Sequence, residues 1–178
     1  ATAIDISKEA INMAKINAKL HHIGNKIKFF NIDIDKFNSS KYDLIISNPP
    51  YINKVDLNRL DEDVKLYEPR LALFGGVTGF EEIKRIIKKS SKLLRYNGKL
   101  IIEIGDKQKD KTIKILLRNG FYINKICKDY SGKDRCVVST KINQWIILKI
   151  ILEEVDLNLM EKEILEREME MEVKLMEI

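Results

Sequence analysis

Tyr42-Asp43-Leu44-Ile45-Ile46-Ser47-Asn48-Pro49-Pro50-Tyr51 is the stretch on which the fold turns. The apolar run Tyr42 to Ile46 reads as a short buried strand. Two consecutive prolines have no N–H to give a ladder, so the strand stops at Ser47. The Asn48 carboxamide, the proline carbonyls and the Tyr51 ring are then presented at its carboxyl end. In an open α/β sheet that edge is where ligands bind. A stiff backbone with one carboxamide and one aromatic face suits a flat, polar, nitrogen-bearing group.

The chemistry follows from that geometry. An amide or exocyclic amine nitrogen has its lone pair delocalised into the neighbouring π-system. It is methylated only when the lone pair is aimed at the methyl donor. The Asn48 side-chain oxygen and the Pro49 carbonyl can each accept one N–H of an NH2 group. The Tyr51 ring can cover the planar face. This is catalysis mostly by positioning, with some charge stabilisation as the nitrogen becomes positive. An Asn beside two prolines also occurs in ordinary turns. The hydrophobic strand before it, with Asp43 near its start, favours a site.

Upstream, Thr2 to Ile6 reads as a strand with Asp5 near its end. Ser7 caps a helix from Lys8 to Leu20, with Glu9 in its first turn. Ala10, Met13, Ala14, Asn17 and Leu20 recur at helical spacing and predict its buried face. Gly24 closes it, and the next strand runs over residues 27–32, followed by Asp33-Ile34-Asp35. Downstream, Ile52 to Gly79 reads as a long polar loop with a short helix around Leu57 to Val64. Such loops are usually functional. Tyr67-Glu68-Pro69-Arg70 is expected to pack back under the site. Phe80 to Leu94 is an amphipathic helix carrying Ile83, Ile86 and Ile87, and Asn97-Gly98 is a tight turn. Strand Lys99 to Ile104 carries Glu103. Helix Lys111 to Asn119 ends at Gly120, and strands follow at residues 121–127 and 135–140. The pattern predicts an α/β fold: a mostly parallel sheet with helices on both faces.

At 178 residues the chain is one domain, or one domain with an appendage. No apolar run approaches the ~18 residues that span a membrane. Ala1 to Asp5 lacks a signal-peptide pattern. Cys127 and Cys136 have no metal-ligand spacing, and no metal site is expected. They read as reduced thiols of a cytoplasmic protein, with pairing across adjacent strands as the alternative. Residues 153–178 hold ten acidic and three basic side chains, so the remainder carries +12 of the net +5. A basic body attracts RNA or an RNA-bound partner, although abundant lysine alone produces the same balance. Residues 142–178 read as a low-complexity helical tail, acidic from residue 153, whose partner is not legible.

Asn48-Pro49-Pro50-Tyr51-Ile52, Tyr67-Glu68-Pro69-Arg70-Leu71-Ala72-Leu73, Gly75-Gly76 and Gly79 together resemble the release-factor glutamine N5-methyltransferases of the HemK/PrmC type. Ile101-Ile102-Glu103-Ile104-Gly105 and Lys128 to Arg135 resemble that family's later blocks. The resemblance runs from about Ala1 to Thr140. It implies a Rossmann-like sheet over residues 1–141 that ends in an antiparallel strand. It also implies S-adenosylmethionine as cofactor and the glutamine of a release factor's Gly-Gly-Gln loop as substrate, with nucleic acid involved only indirectly. Asn48, Pro49, Pro50 and Tyr51 would be the catalytic residues, with Asn48 also beside the cofactor. Asp5 would hold the ribose hydroxyls. Asp33 would accept from the adenine amino group, with Asp35 as competitor, and Ile34 would pack on the ring.

The family's first strand and glycine-rich loop have no counterpart before Asp5. Gly75 to Gly79 follows no clear strand and is rejected as a substitute. The expectation is a catalytic domain truncated at its amino end, and an amino-terminal helical domain is likewise expected to be absent. The strand at 2–6 then lies at or near an edge. The place between it and the strand at 42–47 is left as a gap or filled by a borrowed segment. Two other functions stay open: a nucleic-acid adenine N6-methyltransferase, which shares Asn-Pro-Pro-Tyr, and a non-enzymatic remnant.

Overall fold

The computed structural model describes residues 1–39 and 41–143. The expected tail helix lies almost wholly outside them. Strand β1 (Thr2–Asp5) leads through Ser7 into helix α1 (Lys8–Leu20). The Ser7 hydroxyl accepts the Ala10 N–H at 3.1 Å, satisfying one of the helix's orphan donors. A turn of 3-10 helix at Gly24–Lys26 precedes β2 (Lys28–Asn31). Strand β3 (Tyr42–Ser47) stops directly before the prolines. Three short helices follow: α2 (Lys54–Leu57), α3 (Glu62–Tyr67) and α4 (Arg70–Leu73). Then come α5 (Glu81–Leu93), β4 (Leu94–Glu103), α6 (Lys109–Arg118), β5 (Phe121–Lys128) and β6 (Asp134–Lys141).

The strands form two sheets. β1 and β2 pair in parallel, with Asp5 opposite Asn31. The larger sheet has the order β3-β4-β6-β5. β3 runs parallel to β4, whereas β6 is antiparallel to both β4 and β5. The pairings are therefore evenly mixed rather than mostly parallel, because the β5–β6 hairpin inserts its second strand beside β4. Among the described residues β1 and β3 share no ladder. The Tyr42 hydroxyl of β3 donates to Thr2 Oγ1 of β1 at 3.2 Å.

Ile83 and Ile87 of α5, Leu100 and Ile102 of β4, Leu116 of α6 and Phe121 of β5 are fully buried together. Helices α5 and α6 pack on the larger sheet and on each other, while α1 packs on β1 and β2. Three expectations are corrected. The buried side chains of α1 are Ile11 and Ala18, while Met13 and Leu20 are exposed. Apolar residues surround this helix, and the small sheet beneath it selects the buried side. β3 is not buried: Ile46 is 69% exposed, because β3 is an edge strand of the larger sheet. Residues 52–79 hold three short helices instead of one. Asn97-Gly98 does turn, but inside β4. Asn97 has φ 64° and the β3–β4 register slips there, so the chain bulges before the ladder resumes at Lys99.

This burial makes a stability test. Ile102→Ala should cost about 2–5 kcal/mol, as for a core aliphatic side chain. Ile46→Ala should stay within about 0.5 kcal/mol, as for a surface position. Urea unfolding of both variants checks it; equal losses would mean that the outer face of β3 is covered.

Candidate functional site

The prolines end β3 and put Asn48 at its tip. Pro49 is buried, and the Asn48 side chain is exposed. Among the described residues its carboxamide makes no hydrogen bond, so both its acceptor and its donors face outward unspent.

Tyr51 is held at its hydroxyl, its carbonyl and one edge of its ring. Its hydroxyl donates to Glu103 Oε1 at 3.3 Å. Burial first, and then the Glu103 carboxylate, raise its pKa, with Arg135 partly opposing. The phenol therefore stays protonated at neutral pH and donates its hydrogen bond to Glu103. The Tyr51 carbonyl accepts from Gln108 Nε2 at 3.1 Å. The same amide nitrogen donates to the Gly79 carbonyl at 3.1 Å, and Gln108 Oε1 accepts the Gly105 N–H at 2.8 Å. One nearly buried carboxamide thus ties together the Asn-Pro-Pro-Tyr segment, the start of α5 and the end of β4.

Three glycines allow this closeness; a Cβ at Gly79 would lie 2.5 Å from the Tyr51 oxygen. A Cβ at Gly75 would lie 2.6 Å from the Pro50 oxygen and from Tyr51 Cα. One at Gly105 would lie 2.8 Å from the Tyr51 ring. Gly75 is brought there by a short parallel bridge: Ile52 N–H donates to Leu73 O at 3.0 Å, and Gly75 N–H to Ile52 O at 2.9 Å. The Gly75–Gly79 turn also folds around the Glu81 carboxylate, which accepts from the Thr78 and Phe80 N–H groups. This turn packs against protein. Tyr67-Glu68-Pro69-Arg70 does not lie under the site; all four residues are exposed at the junction of α3 and α4. Its place is taken by Leu73 to Gly75, because backbone pairing with Ile52 anchors those residues.

Asp5 and Asp33 both lie at the carboxyl edge of the small sheet. Asp5 is exposed, with Oδ1 accepting the Ser7 N–H at 2.7 Å. Asp33 Oδ1 accepts from the Asp35 N–H at 2.8 Å and from Arg85 at 2.7 Å. The Asp35 N–H first, and then Arg85, against the cost of burial, hold the Asp33 carboxyl below its usual range. Asp33 is therefore an ionised acceptor at neutral pH. Ile34 beside it is half-buried. Asp35 is the more exposed carboxylate and also pairs with Arg85, at 2.8 Å. The structure thus groups Asp5, Asp33 and Ile34 on one sheet and Asn48 to Tyr51 on the other. Arg85 reaches from α5, which follows the Tyr51 clamp, to the turn that carries Asp33.

Sequence reasoning missed Gln108 and Arg85. Arg85 pairs with Glu82 one turn away, a spacing visible in the sequence, but its aspartate partners lie fifty residues upstream. Gln108 follows Gly105 by three residues, which hints at a turn and says nothing of Tyr51. No helix among the described residues is long and apolar enough to cross a membrane.

Residues 1–95 match the family described as RMKL-like, methyltransferase domain. A release factor glutamine methyltransferase of Fusobacterium nucleatum is 40% identical over 164 residues, covering 90% of this chain and 46% of that protein. A bifunctional methyltransferase of Rickettsia typhi is 37% identical over 142 residues, covering 79% of this chain and 27% of that protein. The chain therefore spans between a quarter and a half of the length of these relatives. The crystal structure of a ribosomal protein L11 methylase from Lactobacillus delbrueckii subsp. bulgaricus superposes with TM-score 0.57 at 21% identity, over 80% of this chain and 57% of that one. At that identity the likeness is one of fold.

The Gln108 clamp carries its own test. Gln108→Leu leaves the Gly105 N–H and two carbonyls unpaired, at about 1–3 kcal/mol for each buried group. Urea unfolding should show a loss of at least about 2 kcal/mol. Gln108→Glu keeps the acceptor for Gly105 but sets a carboxylate against two carbonyl oxygens, and should also destabilise. Wild-type stability in both variants would show that the clamp is dispensable.

Proposed function

The chain belongs to the RMKL-like methyltransferase domain family, and from that premise we propose that it serves the transfer of a methyl group from S-adenosylmethionine to the side-chain amide nitrogen of a glutamine in a peptide-chain release factor. The observation that carries the reading is the exposed Asn48 carboxamide, which makes no hydrogen bond among the described residues, three positions before a Tyr51 clamped by Glu103 and Gln108. The Fusobacterium nucleatum relative named as a release factor glutamine methyltransferase supports the choice of substrate.

In this reading Asn48 Oδ1 and the Pro49 carbonyl accept the two N–H bonds of the substrate amide. Rotation about the C–N bond is stopped, and the nitrogen lone pair has one direction left. As the nitrogen gains positive charge its N–H groups become stronger donors, so both contacts tighten in the transition state. Tyr51 covers the face of the amide. Glu103 and Gln108 fix the Tyr51 ring and carbonyl, which keeps the amide from drifting.

The residues present fit the nucleoside half of the cofactor. Two carboxylates stand at the ends of neighbouring parallel strands, and Asp33 is held ionised. Asp5 would take the ribose hydroxyls, Asp33 the adenine amino group, and Ile34 the ring face. When bound, the cofactor supplies an electrophilic methyl on sulfur. Among the described residues, none is proposed for its methionine half.

A chimera tests this. The upstream part of the Fusobacterium nucleatum relative is joined ahead of the present chain. By calorimetry the chimera should bind S-adenosylmethionine, while the 178-residue chain alone shows weak heat or none. By mass spectrometry the chimera should add one methyl group to the glutamine of a release-factor Gly-Gly-Gln loop. Methylation of adenine in DNA with the release factor untouched would overturn the substrate. A folded chimera that binds cofactor but methylates neither would overturn the activity.

A further inference from the structure

The two cysteines take no part in the reading above, yet the fold sets them face to face. Cys127 on β5 and Cys136 on β6 are direct partners in the antiparallel ladder. Directly opposed residues project to the same side of a sheet. Their Cα atoms lie about 4.5 or 5.5 Å apart, depending on the type of pair. Both spacings fall within the roughly 4.4–6.8 Å that a disulfide spans. The two thiols are free and partly exposed. The ladder slips just after Cys127, before Lys128, which marks a bulge at the end of the hairpin. Cys136 is also the direct partner of Glu103 on β4, and Glu103 accepts the Tyr51 hydroxyl.

We propose that Cys127 and Cys136 form a dithiol site that small disulfides oxidise to a cross-strand disulfide, closing the β5–β6 hairpin beside the Glu103–Tyr51 contact. Glutathione disulfide is a sufficient oxidant. The Cys127 thiolate attacks one of its sulfurs, forming a mixed disulfide and releasing one glutathione thiolate. Cys136 then loses its proton and attacks the Cys127 sulfur. The protein disulfide forms and the second glutathione leaves. Two protein thiols are oxidised and one glutathione disulfide is reduced to two thiols. Burial first, and then the neighbouring Cys127 and Glu103, raise the Cys136 pKa. Cys136 therefore acts second, as the resolving thiol, and closure quickens as pH rises. This site stands independently of the methyl-transfer reading.

The test equilibrates the 178-residue chain in glutathione redox buffers, natively and in urea that unfolds it. Acid quenching, alkylation and mass spectrometry then count the thiols. The chain has no other cysteine, so an intrachain disulfide identifies the pair. The native chain should lose two hydrogens in mass and resist alkylation. Its effective concentration for closure should exceed the unfolded value by at least about tenfold, because the ladder has already closed the loop. Cys136→Ser should stop at the mixed disulfide on Cys127. Equal closure in folded and unfolded chains would overturn the proposal. So would native chains that stay fully alkylatable, keep two mixed disulfides, or cross-link into dimers.

Discussion

Tyr51 is the residue against which the larger half of this molecule is assembled. It follows two prolines, so its backbone enters in one direction. Its carbonyl is taken by Gln108 and its hydroxyl by Glu103. Gly75 and Gly105 press against it from opposite chain segments. Neither contact tolerates a side chain, so the glycines of the motif record close approach of backbone to backbone. In the proposed reading the clamp matters because it fixes the far end of the short Asn48-Pro49-Pro50-Tyr51 segment. Asn48 itself is exposed and makes no hydrogen bond among the described residues, so its aim would depend on the rigidity of that segment.

The second constraint is the division between the sheets. β1 and β2 form a two-stranded unit with α1, which on its own has little core. Arg85 ties it to the rest. The guanidinium meets Asp33, Asp35 and Glu82 within 2.8 Å. Partly exposed ion pairs contribute little stability, about 0–1 kcal/mol each. Their consequence here is placement: α5 leaves the Tyr51 clamp and ends its first turns on the carboxylate proposed for the nucleoside.

Much of this was legible in the sequence, for physical reasons that can be named. Pro49 and Pro50 forbid continued pairing, so the end of β3 and the exposure of Asn48 followed from two residues. Ser7 marked the start of α1, and periodicity marked α5. The misreadings share a cause. Met13 and Leu20 fit a helical stripe, but which stripe is buried depends on the sheet beneath. The run Tyr42 to Ile46 looked buried because composition cannot reveal an edge. Tyr67 to Arg70 was expected under the site for its motif, whereas backbone pairing with Ile52 brought Leu73 to Gly75 there instead. Besides their near partners Gly105 and Glu82, Gln108 and Arg85 act on groups more than twenty-five residues away, a distance over which no local pattern exists.

The central claim is that Asn48 orients the substrate amide. Single-turnover methyl transfer by an active form of this chain, carrying Asn48→Ala, measures that most directly. One lost oriented hydrogen bond at the reacting centre should slow the chemical step by about 10²–10³-fold, as for deletion of an oxyanion-hole donor. Affinity for S-adenosylmethionine should change far less than the rate, since the contact is to substrate. A variant that transfers the methyl group at close to the wild-type rate would contradict the account.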